Sequence, residues 1–148
     1  ISKLLNIGSA FLFIDQAVIY DKKKISIAKT NIKKTHWTFS SHLLSKPIFP
    51  GALLVEIMCQ TAMLNIYKKT NKIYNSKGFL SSVDIKFKNV IEKKMAPLTI
   101  QSEAKEISYN RGLSIYEVRT YSKNSKIVFA DGKITHFIPI NFLKKIDK

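Results

Sequence analysis

Alternation with period two dominates the second half of this chain. In SVDIKFKNV (residues 82–90), Val83, Ile85 and Phe87 alternate with Asp84, Lys86 and Lys88, which predicts a strand with the first set facing inward. PLTIQSEAKEI (97–107) repeats the pattern at Leu98, Ile100, Ser102 and Ala104, and GLSIYEVRTY (112–121) and KIVFADGKITHFI (126–138) are two further strand candidates. Near the start, AFLFIDQAVIY (10–20) is rich in strand-forming residues. DKKK interrupts it, and ISIAKTNI (25–32) resumes with Ile25 and Ile27 on one face, which predicts a hairpin. ISKLLNIG (1–8) reads as a short helical lead ending at Gly8. Residues 33–50 have little periodicity and read as a loop that touches the core through Trp37 and Phe39.

One segment breaks with period two. Residues 51–67, GALLVEIMCQTAMLNIY, are apolar with few interruptions; they follow Pro50 and lead into Lys68 and Lys69. A proline ahead of the first turn and lysines near unpaired carbonyls predict a helix from about Gly51 to Lys69. A polar linker then runs to Gly78. The order is two strands, one long helix and about four strands, without strand–helix alternation. That order predicts an α+β fold, an antiparallel sheet of about six strands wrapped around one long central helix. A single domain over 1–148 is expected, with its core at about 10–138 and a loose tail over 139–148.

The helix carries an oddly placed carboxylate. Projected at about 100° per residue, with Glu56 at zero, Gln60 falls near 40°, while Thr61, Asn65, Lys68 and Lys69 fall between roughly 120° and 220°. The second group is the expected polar face. Glu56 and Gln60 form a separate stripe ringed by Ala52, Met63 and Tyr67, which predicts that Glu56 is buried or lies in a cleft. A sequestered carboxylate is costly unless it is paired, hydrogen-bonded or protonated. It either ties down a loop or a neighbouring subunit, or it does chemistry. His42, 14 residues upstream, gives it a candidate acid–base partner. His36 lies in the same loop, and the residue pattern alone does not choose between the two. His136, in a late strand, reads as ordinary.

Composition narrows the setting. With 45% hydrophobic and 11% aromatic residues, 148 residues suffice for a real core. The net charge is +15, almost all of it lysine, since only Arg111 and Arg119 are arginines. Such a charge fits nucleic acid, an acidic membrane surface, an acidic protein partner, or a coding bias toward solvated lysines. The dispersed lysines and scarce arginines count against nucleic acid. Cys59 is the single cysteine, so a disulfide within the chain is excluded and a buried thiol in a reducing compartment is expected. No Cys/His cluster has zinc-ligand spacing. No signal-peptide pattern opens the chain, and the longest apolar run is broken by Glu56, Gln60 and Asn65. A soluble cytoplasmic protein is the expectation.

FSSHLLSKPIFPGALLVEIMCQTA (39–62) resembles the active-site segment of the hot-dog-fold (3R)-hydroxyacyl-[acyl-carrier-protein] dehydratases of bacterial fatty acid synthesis. Their pattern is roughly Gly-His-Phe-Pro-x-x-Pro, two apolar residues, Pro-Gly, then a helix carrying Glu and Met-x-Gln. Here it reads His42, Pro47, Pro50, Gly51, Glu56, Met58 and Gln60 at the family spacing. AFLFIDQAVIY looks like the family's first strand and SVDIKFKNV like its Lys-Phe-Arg strand. The chain departs at Ser41 for Gly, at Leu43-Leu44 for Phe-Pro and at Gln16 for Arg. IEKKMAP (91–97) stands where the family has a Pro-Gly-Asp turn. The chain reads as a divergent member.

The resemblance implies a hot-dog fold, with His42 abstracting the C2 proton and Glu56, or a water it orients, protonating the departing hydroxyl. The Gly51 N–H, at a helix N-terminus, would bind the thioester oxygen of the substrate. It further implies a homodimer in which His42 of one chain faces Glu56 of the other, with trimers of dimers also known in the family. No metal or cofactor is implied beyond the phosphopantetheine arm of an acyl carrier protein, an acidic partner that the lysines would steer. Three rivals stand: a hot-dog thioesterase on acyl-CoA or acyl-carrier substrates, a non-catalytic dehydratase-like subunit, and a basic nucleic-acid binder.

Overall fold

Six strands form one sheet in the computed structural model, which describes residues 1, 5, 7–69, 78–125 and 127–138. They are β1 (Gln16–Tyr20), β2 (Ile25–Ile32), β3 (Phe79–Phe87), β4 (Leu98–Asn110), β5 (Leu113–Ser122) and β6 (Val128–Phe137). The order across the sheet is β1-β2-β4-β5-β6-β3, and every neighbouring pair is antiparallel. A four-residue helix, α1 (Thr38–Ser41), precedes the long helix α2 (Gly51–Lys69). The expected architecture is therefore present, including the hairpin, which turns through Lys24 in left-handed backbone (φ 54°). Residues 2–4 and 6 of the leading segment, 70–77 of the linker and the 139–148 tail lie outside the described residues; Leu5 is helical and buried.

α2 lies against one face of the sheet and touches all six strands. The inner face alternates cleanly: Ser26, Ala28, Thr30 and Ile32 on β2, and Ile100, Ser102, Ala104 and Glu106 on β4, are buried. Met58, Cys59, Ala62 and Ile66 of the helix pack there with Ala104, Tyr116, Val118 and Ile134. Leu54 and Ile57 pack at the other end with Phe39, Phe49, Ile91, Ile100 and Phe129.

Three expectations need correction, on Thr61 and Asn65, on the exposure of Val83 and Phe87, and on Trp37. Thr61 and Asn65 were expected on a polar helix face, but both are buried against the sheet. Asn65 Nδ2 donates to Ser26 Oγ (3.0 Å) and to the Ala104 carbonyl (3.2 Å), Ser26 Oγ donates to the Thr61 carbonyl (2.5 Å), and Thr61 Oγ1 to that of Ile57 (2.7 Å). The buried Thr61 hydroxyl and Asn65 amide are tolerated because they make these bonds. Val83 and Phe87 do lie on the inner face, opposite the buried Ile134 and Ala130, but they are 41% and 55% exposed and only Ile85 reaches the core. β3 is the edge strand, and the core does not extend over its whole inner side. Ile25 and Ile27 share a face as expected, the outer one. Of the two loop aromatics, Phe39 is buried and Trp37 is open to solvent.

Two predictions concern stability. Gly132 has φ 155°, and a Cβ there would run into the Asp84 carbonyl on β3. Gly132→Ala is expected to lower the unfolding free energy by roughly 2–3 kcal/mol, read as a lower urea midpoint at unchanged slope. His136 on β6 is buried, its ring edge-on to Tyr116 with centroids 6.0 Å apart, and its Nδ1 has no partner. Burial pushes its pKa from 6.5 down to about 4. Between those values the unfolded chain binds the proton and the folded chain does not, so stability falls as pH drops through that window. His136→Phe should remove up to roughly 3 kcal/mol of that loss, measured by urea unfolding at intervals across the window.

Candidate active site

The loop from His42 to Pro50 is fixed by backbone bonds. The His42 N–H donates to the Thr38 carbonyl (2.9 Å) and ends α1 in extended conformation. Leu43 then takes left-handed backbone (φ 48°), and the Lys46 N–H closes a turn on its carbonyl (2.9 Å). Residues 47–49 are stitched to 91–93: Phe49 N–H donates to the Ile91 carbonyl (2.8 Å) and Lys93 N–H to that of Pro47 (3.1 Å). The part-exposed His42 ring makes a long Nδ1 contact with the Ile48 carbonyl (3.4 Å). A carbonyl only accepts, so this contact assigns the hydrogen to Nδ1 and leaves the Nε2 lone pair open.

α2 begins at Gly51. The first intrahelical bonds run to the Pro50 carbonyl from Leu53 and Leu54, so the Gly51 N–H belongs to the unpaired donors of the first turn. The Phe87 ring lies directly against it. A methyl group on Gly51 would come within 2.9 Å of Phe87 Cε1, so a larger residue there would push the ring aside. Phe87 is itself held by its neighbours, since Lys88 N–H bonds the Phe129 carbonyl (2.8 Å) and Asn89 Nδ2 that of Val128 (2.7 Å).

Glu56 is partly buried and oriented by Gln60, one turn further along α2. Gln60 Nε2 donates to Glu56 Oε1 (2.8 Å) and to the Phe11 carbonyl (2.8 Å), while Gln60 Oε1 accepts from the Phe13 N–H (3.1 Å). A completely buried amide thus locks the carboxylate to the segment leading into β1. Burial raises the Glu56 pKa, and the bond from Gln60 partly opposes that rise. Burial and the Glu56 charge together push the Cys59 thiol up to about 12, so it stays an inert part of the core.

Of the expected site residues, Gly51 and His42 lie on one short stretch and Glu56 on the next turn and a half. Neither a hydrogen bond nor an ion pair joins His42 to Glu56 among the described residues. Five residues at about 100° each turn Glu56 some 140° around the helix from Gly51. Gly51 and Glu56 thus lie on different sides of α2. His36 is the structural histidine of the loop. Its Nδ1 pairs with Thr38 Oγ1 (2.8 Å), its ring stacks on Trp37 and leans on Phe49, and burial lowers its pKa. The sequence placed Gln60 beside Glu56, but its anchoring to Phe11 and Phe13 came only with the fold. The cover that Phe87 forms over Gly51 had no sequence signal.

Among the described residues no cluster of His, Cys, Asp and Glu could hold a metal ion, and no helix is long and apolar enough to cross a membrane. A concavity of about 800 Å³ opens on the outer face of the sheet, lined by charged side chains such as Glu103, Arg119 and Asp131. None of His42, Gly51 and Glu56 lines it.

Because the ionised form of Glu56 is disfavoured in the folded state, the folded chain binds its proton more tightly than the unfolded chain. Stability is therefore lost as pH rises from the ordinary value of 4.5 through the raised one. Glu56→Gln, which keeps an acceptor for Gln60, should be at least as stable as the parent at pH 8, and the gain should vanish below that ordinary value. Urea unfolding at both ends of the range checks this; a variant clearly less stable at pH 8 contradicts it.

Comparison with known proteins places this geometry. Residues 6–131 match the FabA-like domain. The 3-hydroxyacyl-[acyl-carrier-protein] dehydratase FabZ of Buchnera aphidicola subsp. Acyrthosiphon pisum (strain Tuc7) is 32% identical over 138 residues, 88% of this chain and 89% of that protein. The dehydratase heterocomplex ApeI:P from Xenorhabdus doucetiae superposes with a TM-score of 0.73 at 14% identity, covering 99% of this chain and 97% of the other. A hypothetical thioesterase with coenzyme A from Streptococcus pneumoniae TIGR4 gives 0.63 at 9% identity, covering 85% and 88%. These two structural likenesses establish the fold, six antiparallel strands around one main helix.

Proposed function

The chain belongs to the FabA-like family of hot-dog proteins, and from that premise we propose that it dehydrates a (3R)-hydroxyacyl thioester on acyl carrier protein to the trans-2-enoyl thioester in fatty acid biosynthesis. The observation that carries this reading is the pairing of an open histidine nitrogen with a half-buried, proton-retaining carboxylate at family spacing on one segment. His42 Nε2 takes the C2 proton. The electrons of that bond form the C2–C3 double bond, and the C3 hydroxyl leaves as water with a proton from Glu56. Charge builds on the thioester oxygen meanwhile, and the Gly51 N–H at the helix N-terminus donates to it. Gln60 holds Glu56 in one orientation, so the acid needs no reorganisation during the reaction.

The working unit is a homodimer whose sites each combine His42 and Gly51 of one protomer with Glu56 of its partner. Two features support this: Gly51 and Glu56 lie about 140° apart around α2, and the edge strand β3 leaves Phe79, Leu80, Val83 and Phe87 largely exposed. An uncovered apolar edge of that kind invites strand pairing with a second copy. The substrate arrives on the phosphopantetheine arm of an acidic carrier, drawn by the +15 charge; no further cofactor takes part.

Enoyl formation from 3-hydroxyacyl carrier thioesters tests the reaction, and release of free thiol without enoyl product would instead make the chain a thioesterase. His42→Ala and Glu56→Ala should each lose roughly 10²–10⁴-fold in turnover. Refolding the two inactive variants together should restore up to about a quarter of parental activity, because half of the dimers then contain one intact site. Full activity in either single variant refutes the assigned roles, whereas dead mixtures refute only the shared site.

A further inference from the structure

We infer that the outer face of the sheet, opposite α2, is a second self-association surface on which another copy of this chain docks about a two-fold axis running across the strands. Strand register places the side chains of this face in two rows. The first reads Glu103, Arg119, Asp131, Lys86 across β4, β5, β6 and β3. The second, two residues along each strand, reads Lys105, Glu117, Lys133, Asp84. Signs alternate along both rows and between them. The rows continue onto β2 and β1 with apolar residues, Ile27 and Val18 in the first, Ile25 and Tyr20 in the second. Val18 and Tyr20 are 53% and 46% exposed.

This array is complementary to itself. Rotation by half a turn about an in-plane axis between the rows brings each strand over its own copy with the rows exchanged. Arg119 then meets Glu117, Asp131 meets Lys133, Glu103 meets Lys105 and Lys86 meets Asp84. Val18 meets Tyr20 and Ile27 meets Ile25. Every charge faces its opposite and the apolar strip faces itself. The concavity over the array, about 800 Å³, receives the long facing side chains.

Two further observations favour a second copy as the occupant. The eight charged residues hold four of the chain's ten acidic side chains and four of its 25 basic ones, so the two rows together are neutral in a chain of charge +15. A polyanion would choose any other face, and two copies would repel one another nearly everywhere else. Nor are these charges consumed within the chain: among the described residues the only ion pair that touches them is Lys88–Asp131 at 3.6 Å, Lys88 lying outside the rows. The surface is separate from the β3 edge and does not depend on the catalytic reading.

The test is sedimentation of the full chain at about 50 mM and about 0.5 M NaCl, since exposed charge pairs are screened at the higher salt. The mass at low salt should be twice that at high salt. Arg119→Glu and Glu117→Arg, each folded by circular dichroism, should both stay at the smaller mass at low salt. Mixed in equal amounts they should double it, because each altered charge then meets its opposite on the other variant. Should either variant lose its fold, Lys133→Glu and Asp131→Lys make the same test. A parental mass indifferent to salt, single variants that still double, or a mixture that does not would each overturn the proposal.

Discussion

Nearly everything in this molecule follows from covering one helix on almost every side. α2 has no broad solvent-facing stripe along its middle: from Ile57 to Ile66 only Met63 is more than marginally exposed. A helix so placed gains apolar burial around most of its circumference, but each polar side chain on it must find a partner inside. Thr61 and Asn65 find theirs on β2, on β4 and in the helix itself, and Gln60 finds its partners in the segment before β1. These bonds fix the rotation of the helix against the sheet, because a slip of one residue would leave several buried groups unpaired.

The same constraint creates the chemistry. Once Gln60 is committed to Phe11 and Phe13, its remaining hydrogen reaches Glu56 and holds a carboxylate where water is scarce. Scarce water keeps the proton on Glu56 beyond the ordinary carboxylate range. The start of α2 offers a different resource, unpaired N–H groups beneath the Phe87 ring.

The two faces of the sheet divide the remaining tasks. The inner face carries small and apolar residues to fit the helix. The outer face carries charges in alternating register on β4, β5, β6 and β3, so the surplus of lysine is concentrated elsewhere. The eight charges of those two rows cancel in a chain of charge +15.

The order of elements, the antiparallel character of the sheet, the span of α2 and the segment that carries His42, Gly51 and Glu56 could all be read from the order of residues. Those signals are local, because side-chain period, proline position and motif spacing are properties of contiguous residues. It also isolated Glu56 and Gln60 from the rest of the helix, since angular position follows from residue number alone. What it could not decide was which side of each pattern would be covered. Thr61 and Asn65 read as a solvent face and are buried, Val83 and Phe87 read as core and are exposed, and Ile25 and Ile27 turned outward. Coverage depends on which strand neighbours which, and β3 pairs with β6, some fifty residues distant, at the sheet's edge. Motif spacing singles out His42 over His36; packing adds that the His36 ring stacks on Trp37 and leans on Phe49, while the His42 ring makes a long contact through Nδ1.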